Sequence, residues 1–323
     1  MQRIGPLEHT IGVDVGGTKI AAGVVDTEGH ILERIKLPTP STVEEIDVRI
    51  TEAVTVLLDK SASEQSRMSV GVAAAGFVDE HRTTVRFAPN IPWREHPLAA
   101  SLTRRLGVPV VVENDANAAA WAEFRFGAGY GVSDMALITV GTGLGGGIVL
   151  DGELVRGAYG IAAELGHLRM VRDGRPCGCG QHGCWEQYAS GTALLRAAKA
   201  LAVEDPNAAE AMLKAAGGVV AALRGGMVTD AALAGDPAAT GLLTELGQWL
   251  GEGIAMVANV MDPAVVVIGG GVADAGDLLL GPARESFSAH LSGGDNRPHL
   301  DIRAARMGND AGIIGVADLA RKR

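Results

Sequence analysis

The chain has 323 residues, 47% of them hydrophobic, which suffices for two ordinary domains with packed cores and excludes a disordered protein. Aromatics make up 4% and glycines number 45, so the cores must be built from Ala, Val, Leu and Ile around tight turns. A net charge of −10 and a pI near 5.3 lack the basic footprint that nucleic acid or an anionic membrane requires, so neither is expected as a partner.

The opening "MQRIGPLEHT" carries no apolar run of signal-peptide length, and strand-like sequence begins at Ile11, which predicts a cytoplasmic protein. "TIGVDVGGTKIAAGVVDTEGHILER" reads as a β-meander, with strands Ile11–Val15, Lys19–Val25 and Ile31–Ile35. Helix-like segments then alternate with short apolar strands, as in "RMSVGVAAAGFVD" and "VPVVVEND", an α/β signal. In "VPVVVENDANAAAWAEF" a strand ends near Val112 and a helix starts near Ala116, leaving Asn114 and Asp115 at the junction. "MALITVGTGLGGGIVLDGELVRG" repeats the meander, with a strand to Val140, a turn at Gly141–Gly145, a strand through Val149 and a turn at Asp151–Glu153. "GLLTELGQWLGEGIAMVANVM" predicts a buried helix, because Glu245, Glu252 and several glycines would penalise a bilayer core. "PAVVVIGGGV" is a further buried strand, and "NDAGIIGVADLARKR" an amphipathic terminal helix. The duplicated unit predicts two α/β lobes facing a central cleft. The small lobe is expected over residues 1–113, with the helix 308–323 packing back on it, and the large lobe over 114–307.

"DVGGTK" is neither a P-loop nor a dinucleotide fingerprint, since the spacing and the following helix are both wrong. It is a hairpin turn in which Gly16 and Gly17 let a phosphate approach the backbone amides. Thr18 and Lys19 can donate to phosphate oxygens, and Asp14 can hold a hydrated Mg²⁺. "GTGLGGG", with Thr142 and Gly143, offers a second cradle. Gly-Gly turns are ordinary hairpin connectors, but two at matching places in a repeated unit favour phosphate binding. "IGGGV", with Gly270 and Gly271, follows a buried strand and suits an adenosine. At the strand end, capping needs only one residue, which leaves Asp115 as a candidate general base for phosphoryl transfer.

Taken together and in order, "DVGGTK", "ENDANAAAWAE", "GTGLGGG", "ELGH", "CGCGQHGCWE" and "IGGGV" resemble the ROK family of repressors and sugar kinases, most closely its bacterial glucokinases. The resemblance spans nearly the whole chain. It implies an actin-like ATPase fold of two ribonuclease-H-like lobes, with ATP and sugar in the cleft. It puts the catalytic aspartate on Asp115 and the sugar-binding positions on Gly76, Asn90, Asn114, Asp115, Glu164, His167 and Glu186. Phosphate contacts are implied for Gly16–Lys19 and for Thr142 and Gly143. Many members have Gly before the glutamate of "ELGH"; here Ala163 stands there. The family's repressors carry a winged helix-turn-helix before the first strand, and too few residues precede Ile11 for one, so a kinase is expected. Family habit implies a homodimer or tetramer.

All three cysteines fall between Cys177 and Cys184, ten residues or more after His167. A disulfide reading leaves one thiol over and strains the Cys177/Cys179 loop, whereas His167, Cys177, Cys179 and Cys184 form a closed Cys₃His set that fits structural Zn²⁺. Ligation would fix one imidazole nitrogen of His167 and leave the other as an oriented donor, flanked by Glu164 and Glu186. The expected activity is phosphoryl transfer from ATP, with Mg²⁺, to D-glucose, Asp115 being the base. The alternatives are another hexose or N-acetylhexosamine (fructose, mannose, N-acetylmannosamine), polyphosphate as donor, or a catalytically idle sugar sensor.

Overall fold

A computed structural model describes residues 8–60 and 68–322. The amino-terminal stretch read for a signal sequence lies, through residue 7, outside the described residues, as does Arg323 of the terminal helix. In chain order come β1 (Thr10–Val15), β2 (Lys19–Val25), β3 (Ile31–Pro38), α1 (Val43–Lys60), β4 (Val70–Ala74), β5 (Phe77–Val78), β6 (Val85–Phe87), β7 (Arg94–His96), α2 (Leu98–Leu106), β8 (Val110–Asn114) and α3 (Asp115–Phe126). They are followed by β9 (Met135–Val140), β10 (Leu144–Leu150), β11 (Glu153–Leu154), α4 (Gly191–Glu204), α5 (Glu210–Ala215), α6 (Gly225–Leu233), α7 (Pro237–Met261), β12 (Val265–Gly269), α8 (Asp277–His290), β13 (Asp301–Ala304) and α9 (Ala311–Arg321).

The duplication seen in the sequence is borne out as topology. One sheet has the order β3-β2-β1-β4-β8 and the other β11-β10-β9-β12-β13, the same arrangement built from successive strands. In the first, β1 pairs antiparallel with β2 and parallel with β4, which pairs parallel with β8. In the second, β12 lies parallel to both β9 and β13. The buried central strands are near-continuous Val, Ile and Ala, as parallel strands covered on both faces must be. Two boundaries differ from expectation. β3 continues to Pro38, which an edge strand tolerates, and the second glycine turn closes by Gly143 because buried Leu144 already belongs to β10.

The chain divides into two compact units, Met1–Gly131 with Gly147–Ala163 and Met307–Arg323, and Val132–Gly146 with Glu164–Arg306. The helix after β8, assigned by the sequence to the second lobe, therefore lies in the first unit. The cause is α9. Gly12 in β1, Gly71 in β4 and Gly315 in α9 permit backbone-to-backbone approach: a Cβ on any of them would collide with the carbonyls of Ile313, Val316 and Ala118 respectively. With these glycines α9 lies directly on β1, β4 and α3, and Trp121 Nε1 of α3 donates to buried Asp318 at 2.8 Å. Arg321 closes the end of α9 by donating to Thr10 Oγ1 and to the carbonyls of Val25 and Asp26. α7, the expected buried helix, starts at Pro237 behind an Asp236 cap that accepts the Ala239 N–H at 2.8 Å. Among the described residues no helix is long and apolar enough to cross a membrane.

Because the space at Gly315 is filled by Ala118 backbone, Gly315→Ala should lower stability by about 1–3 kcal/mol, the usual cost of overpacking, in urea unfolding with an unchanged m-value.

Candidate active site

In the first unit the parallel register aligns Val15, Ala74 and Asn114 across β1, β4 and β8, so the carboxyl ends of three strands present Asp14, Gly76 and Asn114 on one edge of the sheet. Asn114 is the cap: its Oδ1 accepts the Asn117 N–H at 3.0 Å. Asp115, the first helical residue, keeps its carboxylate for other work. Its Oδ1 accepts from the Ala116 N–H at 2.9 Å and from Asn114 Nδ2 at 3.1 Å. Desolvation by the surrounding protein pushes the Asp115 pKa above the ordinary carboxylate range, and those donors only partly oppose it. Burial, then the charge of Asp115, raises Asp14 from 3.8 to about 6, with Lys19 opposing. The two carboxylates thus compete for protons, a pairing that favours either a cation or a shared proton between them.

The first glycine turn is closed by the Gly16 N–H donating to the Lys19 carbonyl at 3.0 Å, and Thr39 braces it by donating from Oγ1 to the Gly16 carbonyl at 2.7 Å. Gly17 lies against Asn90, with 3.4 Å between its would-be Cβ and the Asn90 Cβ. The Gly76 carbonyl accepts from Asn114 Nδ2 at 3.1 Å, and a side chain at Gly76 would collide with the Phe87 carbonyl. The structure therefore brings Gly76, Asn114 and Asp115 together, and Asn90 with the turn.

In the second unit the Gly141 N–H donates to the Gly143 carbonyl at 3.0 Å, and α4 holds the turn through Gly191 N–H to the Gly141 carbonyl (2.8 Å) and Thr192 Oγ1 to the Thr142 carbonyl (2.6 Å). Gly270, at φ +87°, packs on the Val140 backbone just before this turn, while Gly271 is open to a ligand. A Cβ at Gly143 would stand 2.8 Å from Glu186 Oε2, so the turn borders the Cys-rich loop.

The four predicted metal ligands converge. One donor atom each from His167, Cys177, Cys179 and Cys184 lies within 4.8 Å of all the others. Cys177 Sγ is 3.7 Å from His167 Nδ1, and Cys179 Sγ is 3.6 Å from Cys184 Sγ. Tetrahedral zinc with thiolate and imidazole ligands requires edges of about 3.5–3.8 Å, so the donor set fits the ion in number, softness and spacing. All three thiols are free. With Nδ1 turned to the sulfurs, His167 Nε2 faces Glu164 Oε2 at 4.0 Å, and Glu186 Oε1 lies 3.9 Å from Nδ1. Ala163 is not a neutral change from glycine: its φ is +68°, a left-handed conformation costing a residue with a Cβ about 1–2 kcal/mol.

Sequence reasoning missed Glu113. It is fully buried; Oε1 accepts from the Asn114 N–H at 3.0 Å and from Asn117 Nδ2 at 3.2 Å, while Arg82 Nε and Arg156 Nε each lie 2.8 Å from Oε2. An acidic residue inside "VVVEN" was the available signal. Its arginine partners, distant in sequence, gave none, and neither did Thr39.

The ROK family model matches residues 10–323. The chain belongs to the ROK family. A glucokinase from Streptomyces coelicolor is 50% identical over 313 residues, 97% of this chain and 98% of its own length. An N-acetylmannosamine kinase from Salmonella typhi is 34% identical over 97% of this chain and 98% of its own. Among solved structures, a ROK family glucokinase from Streptomyces griseus in complex with glucose and AMPPNP is 52% identical with a TM-score of 0.87, covering 98% of this chain and 100% of that one. The fold is the actin-like ATPase fold of the ROK sugar kinases.

The raised Asp14 pKa has a stability consequence. The folded state holds this proton more tightly than the unfolded chain, so the contribution is full below 3.8 and is lost as pH rises through about 6. Asp14→Asn should therefore gain about 1–3 kcal/mol over the unmodified chain at neutral pH and little in acid, as read by urea unfolding at both.

Proposed function

We propose that this chain is an ATP-dependent glucokinase, converting D-glucose and ATP to D-glucose 6-phosphate and ADP. The observation that carries the reading is Asp115, a carboxylate spared from capping by Asn114 and given raised proton affinity by burial, next to Asp14 and a glycine turn. Asp115 accepts the proton of the sugar 6-hydroxyl as that oxygen attacks the γ-phosphorus. Asp14 would hold Mg²⁺, which would offset charge on the phosphates. The amides of Gly16 and Gly17, Thr18 and Lys19, and those of Thr142 and Gly143, take up phosphate charge, while Gly270 and Gly271 receive the adenosine. Gly76, Asn90, Asn114, Glu164, His167 and Glu186 hold the sugar hydroxyls.

His167 and the three cysteines hold structural Zn²⁺, which supplies a fixed anchor rather than a reacting group. His167 then presents Nε2–H as an oriented donor, in line with Glu164 facing that nitrogen. Glucose is favoured over N-acetylmannosamine because identity to the Streptomyces coelicolor glucokinase is 50% against 34% to the Salmonella typhi N-acetylmannosamine kinase. An idle sensor needs neither Asp115 nor two phosphate turns. The enzyme works in the cytoplasm as a homo-oligomer.

Asp115→Ala should lower kcat by about 10²- to 10⁴-fold with sugar binding partly retained, measured by coupled ADP release on a hexose panel. Activity within severalfold of wild type would move the base elsewhere. Removal of zinc, verified by elemental analysis, should raise the glucose KM sharply or abolish turnover. Full activity in metal-free protein would exclude the anchoring role.

A further inference from the structure

Between α4 and α7 in the second unit lies a cavity of about 190 Å³ that none of the roles above employs. Both ends of the Cys-rich loop contribute to its wall, Arg175 from one side and Gln187 with Tyr188 from the other; Arg196 comes from α4, and Glu245 and Trp249 from α7. The Tyr188 and Trp249 rings pack at 4.7 Å between centroids and form an aromatic wall beside the aliphatic residues of α4.

Arg175, Arg196 and Tyr188 supply donors, Gln187 can donate or accept, and exposed Glu245 is, among the described residues, the one carboxylate on the wall. Arg196 donates to the Gln187 carbonyl, which orients its guanidinium. Tyr188 Oη accepts the Arg175 N–H at 2.9 Å, so the phenol's own proton is left to donate. Among the described residues no carboxylate lies within ion-pair distance of Arg175 or Arg196, Glu245 included. Burial first, and then the charge of Arg175, pulls the Arg196 pKa below its ordinary value. Two arginines on the wall of one small cavity, half-buried Arg196 and exposed Arg175, beside aromatic rings are complementary to an oxyanion on a short carbon skeleton.

We propose that this cavity is a binding site for a small organic oxyanion, clamped by Arg175 and Arg196, with Tyr188 as a third donor and Trp249 packed on its carbon atoms. Phosphate monoesters and polycarboxylates share this chemistry. The site is separate from phosphoryl transfer, but its walls begin two residues before Cys177 and one after Glu186, so an occupant ties together the two ends of the loop.

The test is calorimetric titration of the full chain with glycerol 3-phosphate and, separately, citrate, in the presence of saturating glucose and AMPPNP to fill the phosphate turns. The expected result is one site per chain for one of the two probes, which also identifies the oxyanion as phosphate or carboxylate. Arg175→Ala and Arg196→Lys should each weaken that binding by about tenfold, the loss of one charge-assisted hydrogen bond, at unchanged zinc content and thermal midpoint. Because the readout is heat of binding rather than turnover, its failure is distinct from failure of the glucokinase reading. Absence of binding by both probes, binding that survives both substitutions, or a change of oligomeric mass in either variant, which would assign the arginines to a subunit contact, overturns the proposal.

Discussion

A helix start needs one side-chain acceptor, and at the β8–α3 junction Asn114 is that acceptor. This single assignment decides what the neighbouring residue can do. Were Asp115 the cap, its carboxylate would be spent on backbone N–H groups and held at low proton affinity. Instead it sits one residue inside the helix, tethered by Ala116 N–H and Asn114 Nδ2, in surroundings that raise its pKa. Asn114 is in turn fixed by Glu113, whose buried charge is matched by Arg82 and Arg156. Arg156 donates as well to the carbonyls of Asp79 and Glu80, so the buried charge is tied to the loop after β5. This edge of the sheet is thus a hydrogen-bonded unit in which a polar group, once buried, obliges the next to be satisfied.

The second unit solves a different problem, that of holding polar groups on a long segment with little regular structure. Its loop is closed by backbone bonds, Cys177 N–H to the Gln181 carbonyl at 2.8 Å and Gly183 N–H to the Arg175 carbonyl at 2.8 Å, and it gathers four donor atoms, from His167, Cys177, Cys179 and Cys184, within 4.8 Å of one another. Strain at Ala163 immediately precedes Glu164, so the segment is held in place despite a conformation its sequence resists.

Much of this could be read before any coordinates. Period-two and buried-strand patterns located both meanders, and the cysteine spacing located the Cys₃His cluster, because each depends on local chemistry. What depends on distant backbone contact could not be read. The placement of α3 in the first unit follows from Gly315 meeting Ala118 across the chain, and a lone glycine in a helix does not announce its partner. The turn expected after β9, Gly141–Gly145, is too long because Gly145 looks like loop, although it lies inside β10. Gly147, read correctly as strand, is glycine because of a neighbour: a Cβ there would collide with Ala120. Glu113 is a charge in an apolar strand that passes unnoticed in the sequence, because its meaning depends on Arg82 and Arg156, which only the fold brings to it.

The most direct measurement is the pH dependence of kcat for glucose phosphorylation in the wild-type chain and in Asp115→Ala. The account predicts an acid limb in the wild type with an apparent pKa above the ordinary carboxylate value, rising as the Asp115–Asp14 pair loses its proton. In the variant that limb should vanish or move to lower pH, since Asp14 no longer faces the charge of Asp115. A limb left at the same pH in the variant would contradict the assignment of Asp115 as the base.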